Sequence, residues 1–282
     1  MSVAPARQTT RARRFIEASL FVALLIGIGL ALDLREKSNN GIWIYLLITT
    51  GATILFQTFV ARRPLRWMWL RGTDVRVRLR NISMVVAGSL AIYPAYALVR
   101  TIADGRGWGA AWLALGLTGT IGAGYTFRQA TRETWRYLGL CMATAGVIGS
   151  VLFIVSALHT LTHPLTHVLW SKSDAGTFVT SLLTYIPVSF VMEEVTFRGC
   201  IDSHVHHEGE SHGILTAIWV SALWSWWHMG CLPDTNPLNV LTGMVPIGIF
   251  LSIWWRRSGN LLVTGATHAF IDSVRNAFGE MP

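Results

Sequence analysis

The sequence predicts an all-α fold, a polytopic transmembrane helical bundle of eight spans with a ninth, partly embedded helix. Three observations carry this prediction. Hydrophobic residues make up 52% of the 282-residue chain and charged ones only 13%, about half the load of an average soluble domain. The apolar residues fall in long runs, and about 20 such residues cross the roughly 30 Å hydrocarbon layer as a helix. The Lys and Arg residues between the runs alternate between dense and sparse, as the positive-inside rule requires of cytoplasmic and external loops.

The runs lie at about 15–32, 41–60, 82–99, 108–125, 137–158, 176–200, 213–230, 237–255 and 259–276. The segment before the first run, with Arg7, Arg11, Arg13 and Arg14, resembles a signal peptide but lacks a small-residue cleavage site after Leu32. It is therefore read as an uncleaved first span, with Glu17 near its start able to face the headgroups. Arg35 and Lys37 make a sparse loop, and the seven arginines from Arg62 to Arg80 a dense one. Arg100 and Arg106 follow, then Arg128, Arg132 and Arg136, then Lys172, and finally Arg256 and Arg257. The alternation to Lys172 puts the N-terminus in the cytoplasm, with the plasma membrane as the expected location. The last run is the weakest, because it carries His268, Asp272 and Arg275.

The formal charge of +8 is explained by this topology, so nucleic acid is not an expected partner; the lipid bilayer is. The loop at 61–81, with Trp67 and Trp69 among its arginines, is expected on the anionic inner leaflet. Trp108, Trp135, Trp254 and Trp255 flank runs and suit interfacial anchoring. Cys141, Cys200 and Cys231 are odd in number and lack metal-type spacing, so they read as small buried hydrophobes. No repeat or linker divides the chain. One integrated membrane domain is expected, with about five spans of unassigned function over 1–175 and the chemistry over 176–282.

Ionisable residues inside spans are costly and mark function or a paired structural site. The first half has almost none, whereas Glu193, Glu194, Arg198, His228, His268 and Asp272 all interrupt apolar runs of the second. On a helix, Glu194 and Arg198 are four apart and share a face, acid before base in the favourable order. Glu193 lies about 100° away, left without a local cation. Desolvation of such a carboxylate suits a general base; the alternative is one structural ion cluster of all three residues. His228, one turn after Trp224, is either functional or a packing residue. His268 and Asp272, also four apart, can orient an imidazole, ligate a metal or cap a helix. Pro187, just before the glutamates, should kink its helix and free carbonyls beside them. The loop from Asp202 to His212, with His204, His206, His207 and His212, reads as solvated, with surface metal scavenging as the alternative.

The series Glu193-Glu194-x-x-x-Arg198, Trp224-x-x-x-His228 and His268-x-x-x-Asp272 resembles the CPBP family of intramembrane proteases. That family groups CAAX proteases, the Rce1-type endoproteases among them, with bacteriocin-processing proteins. Its motifs are E-E-x-x-x-R, F-x-x-x-H and H-x-x-x-[ND], so Trp224 stands where Phe is usual and keeps an aromatic wall. The likeness covers roughly 180–282. It implies peptide-bond hydrolysis by a water activated by Glu193 with help from His228. His268 and Asp272 then stabilise the oxyanion or position the scissile carbonyl. It also implies a zinc option, in which His228, His268 and a carboxylate hold the metal, though the absence of an H-E-x-x-H sequence favours the glutamate-activated water. The implied substrate is a peptide or protein, with a lipid-modified C-terminus as one form. The alternatives are a non-catalytic membrane scaffold or bacteriocin-immunity protein retaining the site, and a proton-coupled transporter, which the lack of a second polar cluster disfavours. One geometric difficulty stands: at about 1.5 Å per residue from the cytoplasmic segment ends, Glu193 and His268 lie some 10–15 Å deep and His228 nearer 22 Å.

Overall fold

The structure, a computed structural model, describes residues 10–34, 40–159, 172–211, 213–232 and 237–278. Arg7, Arg35, Lys37 and His212 lie outside the described residues, as does the side chain of Lys172. Among the described residues all regular structure is helical: α1 (Arg11–Ala31), α2 (Asn40–Leu55), α3 (Ile82–Ala103), α4 (Gly107–Arg128) and α5 (Arg132–His159), followed by α6 (Lys172–Ser189), α7 (Ser203–Val205), α8 (Gly213–Trp227), α9 (Pro237–Ser258) and α10 (Leu261–Phe278). A π-helical stretch, Phe56–Val60, extends α2, and a longer one, Val195–Asp202, joins the glutamate pair to α7.

Among the described residues, three helical stretches are both long and apolar enough to cross a membrane: Arg11–Ala31, Asn40–Val60 and Ile82–Ala103. Their outward faces carry bare apolar side chains, with Leu20 64% exposed on α1 and Ile92 71% exposed on α3. Facing water, such a surface would cost about 25 cal/mol per Å²; against lipid tails it costs nothing comparable.

Helices α3 and α4, α8 and α9, and α6 and α10 form the closest pairs. The core gathers Tyr45 from α2, Phe197 from the long π-helix, Trp227 from α8 and Trp255 from α9, all fully buried. Gly119 is where α4 meets the Pro187 carbonyl, a spot any Cβ would occupy. Cys141, Cys200 and Cys231 are buried and free.

Three local expectations are corrected. The first part of the 61–81 loop does not simply lie on a leaflet: Met68 and Leu70 are buried, and the Met68 backbone packs against Gly199. Trp69 and Arg71 hydrogen-bond the turn at 259–261, through Leu261 N–H to the Trp69 carbonyl and Arg71 N–H to the Gly259 carbonyl, each 2.9 Å. Trp254 and Trp255 are buried, Trp255 donating to Ser203 Oγ, whereas Trp108 and Trp135 are exposed. The histidine loop is not solvated over its first half. His204 is buried against Glu17, and His207 stands between the guanidinium groups of Arg14 and Arg63. Glu17 also accepts from Arg13 on its own helix.

Candidate active site

The helix carrying the glutamates breaks before it reaches them. Pro187 lacks an N–H, so a helical bond is lost one turn back. Helix α6 stops at Ser189, and Phe190 to Met192 form turns onto the Pro187 and Val188 carbonyls. The Phe190 carbonyl accepts the Trp69 indole N–H at 2.7 Å. Glu193 and Glu194 follow the break, and the π-helix Val195–Asp202 then begins. π-Turns widen the helical spacing and are found disproportionately at functional sites. Thr53 and Thr196 share a hydrogen bond at 2.9 Å, tying this stretch to α2.

Glu194 and Arg198 are both buried, with Arg198 Nε 3.6 Å from Glu194 Oε1. The same oxygen faces His268 Nδ1 at 3.1 Å. A carboxylate oxygen only accepts, so Nδ1 carries the hydrogen. Arg198 also donates to Ser252 Oγ of α9 at 3.0 Å and lies over the Trp224 ring, 5.3 Å from its centroid. His268 Nε2 is 3.6 Å from Asp272 Oδ2, and the other Asp272 oxygen is 3.2 Å from Arg275 Nη2.

Glu193 is the more open carboxylate, with 27% of its side chain exposed. Its Oε2 accepts the Trp224 indole N–H at 3.0 Å and stands 3.8 Å from His228 Nε2. His228 Nδ1 lies 2.9 Å from the Trp224 carbonyl. That oxygen can only accept, so Nδ1 holds the hydrogen and a neutral His228 turns the lone pair of Nε2 toward Glu193. Both imidazoles pack edge-on against Trp224, at 5.4 Å for His228 and 5.5 Å for His268.

The depth difficulty thus disappears. The helical course of the glutamate segment runs five residues past Cys200, to Val205, which lengthens it beyond the sequence count. His228 closes the end of α8 in a 3-10 turn, His228–Gly230, and meets Glu193 directly. All six sequence-selected residues converge. Sequence reading missed Ser252, which carries no periodic or charge signal, and Arg275 as the partner of Asp272, a pairing visible as an i,i+3 spacing. It also missed the Trp224 N–H as a hydrogen-bond donor.

The zinc option finds no support in this arrangement. No three His, Cys, Asp or Glu side chains among the described residues converge as a metal set. His268 turns Nδ1 to Glu194 and His228 turns Nδ1 to the Trp224 carbonyl, so each imidazole presents Nε2 to the site.

Residues 174–274 match the family model of Rce1-like proteins, type II CAAX prenyl endopeptidases. The matched residues run from α6 into α10, about the last third of the chain, and contain Glu193, Glu194, Arg198, His228, His268 and Asp272. The match supports a protease acting in a membrane, consistent with a peptide or protein substrate. No curated protein and no solved structure matches the chain.

Proposed function

We propose that the protein is an intramembrane endopeptidase in which Glu193 activates the hydrolytic water. The observation that carries this reading is the facing pair of acceptors, Glu193 Oε2 and His228 Nε2, 3.8 Å apart. Two acceptors that close are favourable only when a donor bridges them, and a water satisfies both while keeping a lone pair for attack. Glu193 then takes the water's proton as the oxygen bonds to the scissile carbonyl carbon, and returns it to the departing amine. Of the two glutamates, Glu193 is the one suited to this, because Glu194 is held by Arg198 and His268.

His268 Nε2 and Asp272 line the neighbouring wall, and Nε2 lies beyond hydrogen-bond distance from Asp272. With Nδ1–H on Glu194, the imidazolium form of His268 carries a second hydrogen on Nε2, placed to meet the oxyanion or to orient the carbonyl. The remaining long helices complete an eight-to-nine-span bundle with a cytoplasmic N-terminus in the plasma membrane. The substrate is a peptide or protein, with a lipid-modified C-terminus as one form.

The experiment compares the membrane peptidome of cells with the native protein and with Glu193→Gln. Peptides that vanish in the variant, while the protein still reaches the membrane at normal level, are the expected result. Unchanged peptides would overturn the reading in favour of a scaffold or immunity protein. Activity should survive strong zinc chelation, and loss of cleavage on chelation would restore the metal mechanism.

A further inference from the structure

We propose that Trp224 is a positioning residue that holds Glu193 through its indole N–H. This inference rests on the reading of Glu193 as the base. Among the described residues, that N–H is the sole hydrogen-bond donor to Glu193, at 3.0 Å from Oε2. The Trp224 backbone carbonyl also fixes His228 Nδ1, but any residue at this position would supply a carbonyl. The contact to Glu193 is different, because Phe, the residue usual here in the motif this sequence resembles, has no donor to offer. Trp224 itself has little freedom. It is 3% exposed, packed under the Arg198 guanidinium and against both imidazoles, and its ring is crowded by Gly248 of α9.

Two consequences follow from a fixed donor on one oxygen. The carboxylate cannot rotate freely, so Oε2 keeps its place opposite His228 Nε2. The bond also loads the Oε2 end of the carboxylate unequally, since a charged acceptor draws a shorter, stronger bond than a neutral one. The other groups that face Glu193 are Arg198 on its own helix, Tyr185 of α6, His228 after α8, and His268, Asp272 and Arg275 of α10. Trp224→Phe also alters the ring contacts of Arg198, His228 and His268, so a bicyclic isostere without the N–H is needed to isolate the hydrogen bond.

The test needs no substrate. Infrared spectroscopy of the purified protein in lipid nanodiscs at fixed pH follows the carboxylate stretch of Glu193, assigned by its absence in Glu193→Gln. Trp224→Phe keeps an aromatic ring and removes the donor. A second variant replaces Trp224 by benzothienylalanine, which keeps the bicyclic shape and puts sulfur where the N–H stood. Both are expected to shift that stretch in the same direction, because both remove the donor from the same oxygen. A stretch unchanged in both variants overturns the inference. A peptidome unaffected by Glu193→Gln would instead sink the protease reading while leaving this spectral shift intact, so the two failures are told apart.

Discussion

Glu194 and Arg198 show how two adjacent glutamates acquire different work. Arg198 is fully buried and Glu194 nearly so, so neither charge has water to fall back on. A buried pair gains little net stability over apolar residues of the same shape, but removing one partner strands the other, at a cost of about 3–5 kcal/mol. Arg198→Gln is therefore expected to lower stability by that order, measured by thermal unfolding in bicelles. Glu194→Gln should cost a comparable amount, because it leaves the buried Arg198 without its counter-charge and gives His268 Nδ1 a neutral acceptor in place of a charged one. The double variant should cost clearly less than the sum, since no buried charge is left unpaired. Additive losses would show that the two residues do not act as a pair. Glu193, partly exposed at the same site, should tolerate Gln with a stability change of less than about 1 kcal/mol.

At the level of elements, the sequence showed the stations but not how the chain brings them together. The i,i+4 spacing of Glu194 and Arg198 and of His268 and Asp272 is periodic and local, so it could be read directly. The broken end of α6 was half legible: Pro187 announced it, but the partner of the freed backbone, Trp69, lies 121 residues away. The switch to π-helix from Val195 was not legible, because no local residue pattern marks it. The buried course of residues 65–71 was hidden for another reason, since arginines on either side give the stretch the look of a surface loop. Trp69 yields the prediction at this scale. Trp69→Phe leaves the Phe190 carbonyl without its donor at a helix break, which costs about 1–3 kcal/mol. Because that break sets the direction of Glu193, cleavage should fall more than stability alone explains. Trp108→Phe, at an exposed position, should change neither. Equal activity in Trp69→Phe and the native protein would mean that the break is held by other contacts.

Across the whole molecule, the Rce1-like region is braced by the N-terminal helices at both ends of the glutamate segment. At the C-terminal end of that segment, Arg14 contacts His207 and Glu210, and Arg63 bonds the Ser203 carbonyl and His207. Burial, together with Arg14 and Arg63, lowers the His207 imidazole to about 4, against about 6.5 in an unfolded chain. Between those values the unfolded state binds the extra proton, so stability is full near neutral pH and declines as pH falls from 6.5 toward 4. His207→Gln should flatten that decline, seen as a smaller change in Tm between pH 7 and pH 4.5. Deeper in the bundle, Tyr45 donates to the Trp227 carbonyl at 3.0 Å, and Trp227 donates to Thr49 Oγ1 at 3.0 Å. These bonds fix the end of α8 one residue before His228. A region held this way should not form its site alone. Expressed as 172–282, it is expected to insert but to be degraded or to give no cleavage. Co-expression with 1–171 as a separate chain should restore both protein level and cleavage, because the bracing contacts cross the cut without needing a covalent link. Cleavage by 172–282 alone would show that the first half of the chain serves another purpose.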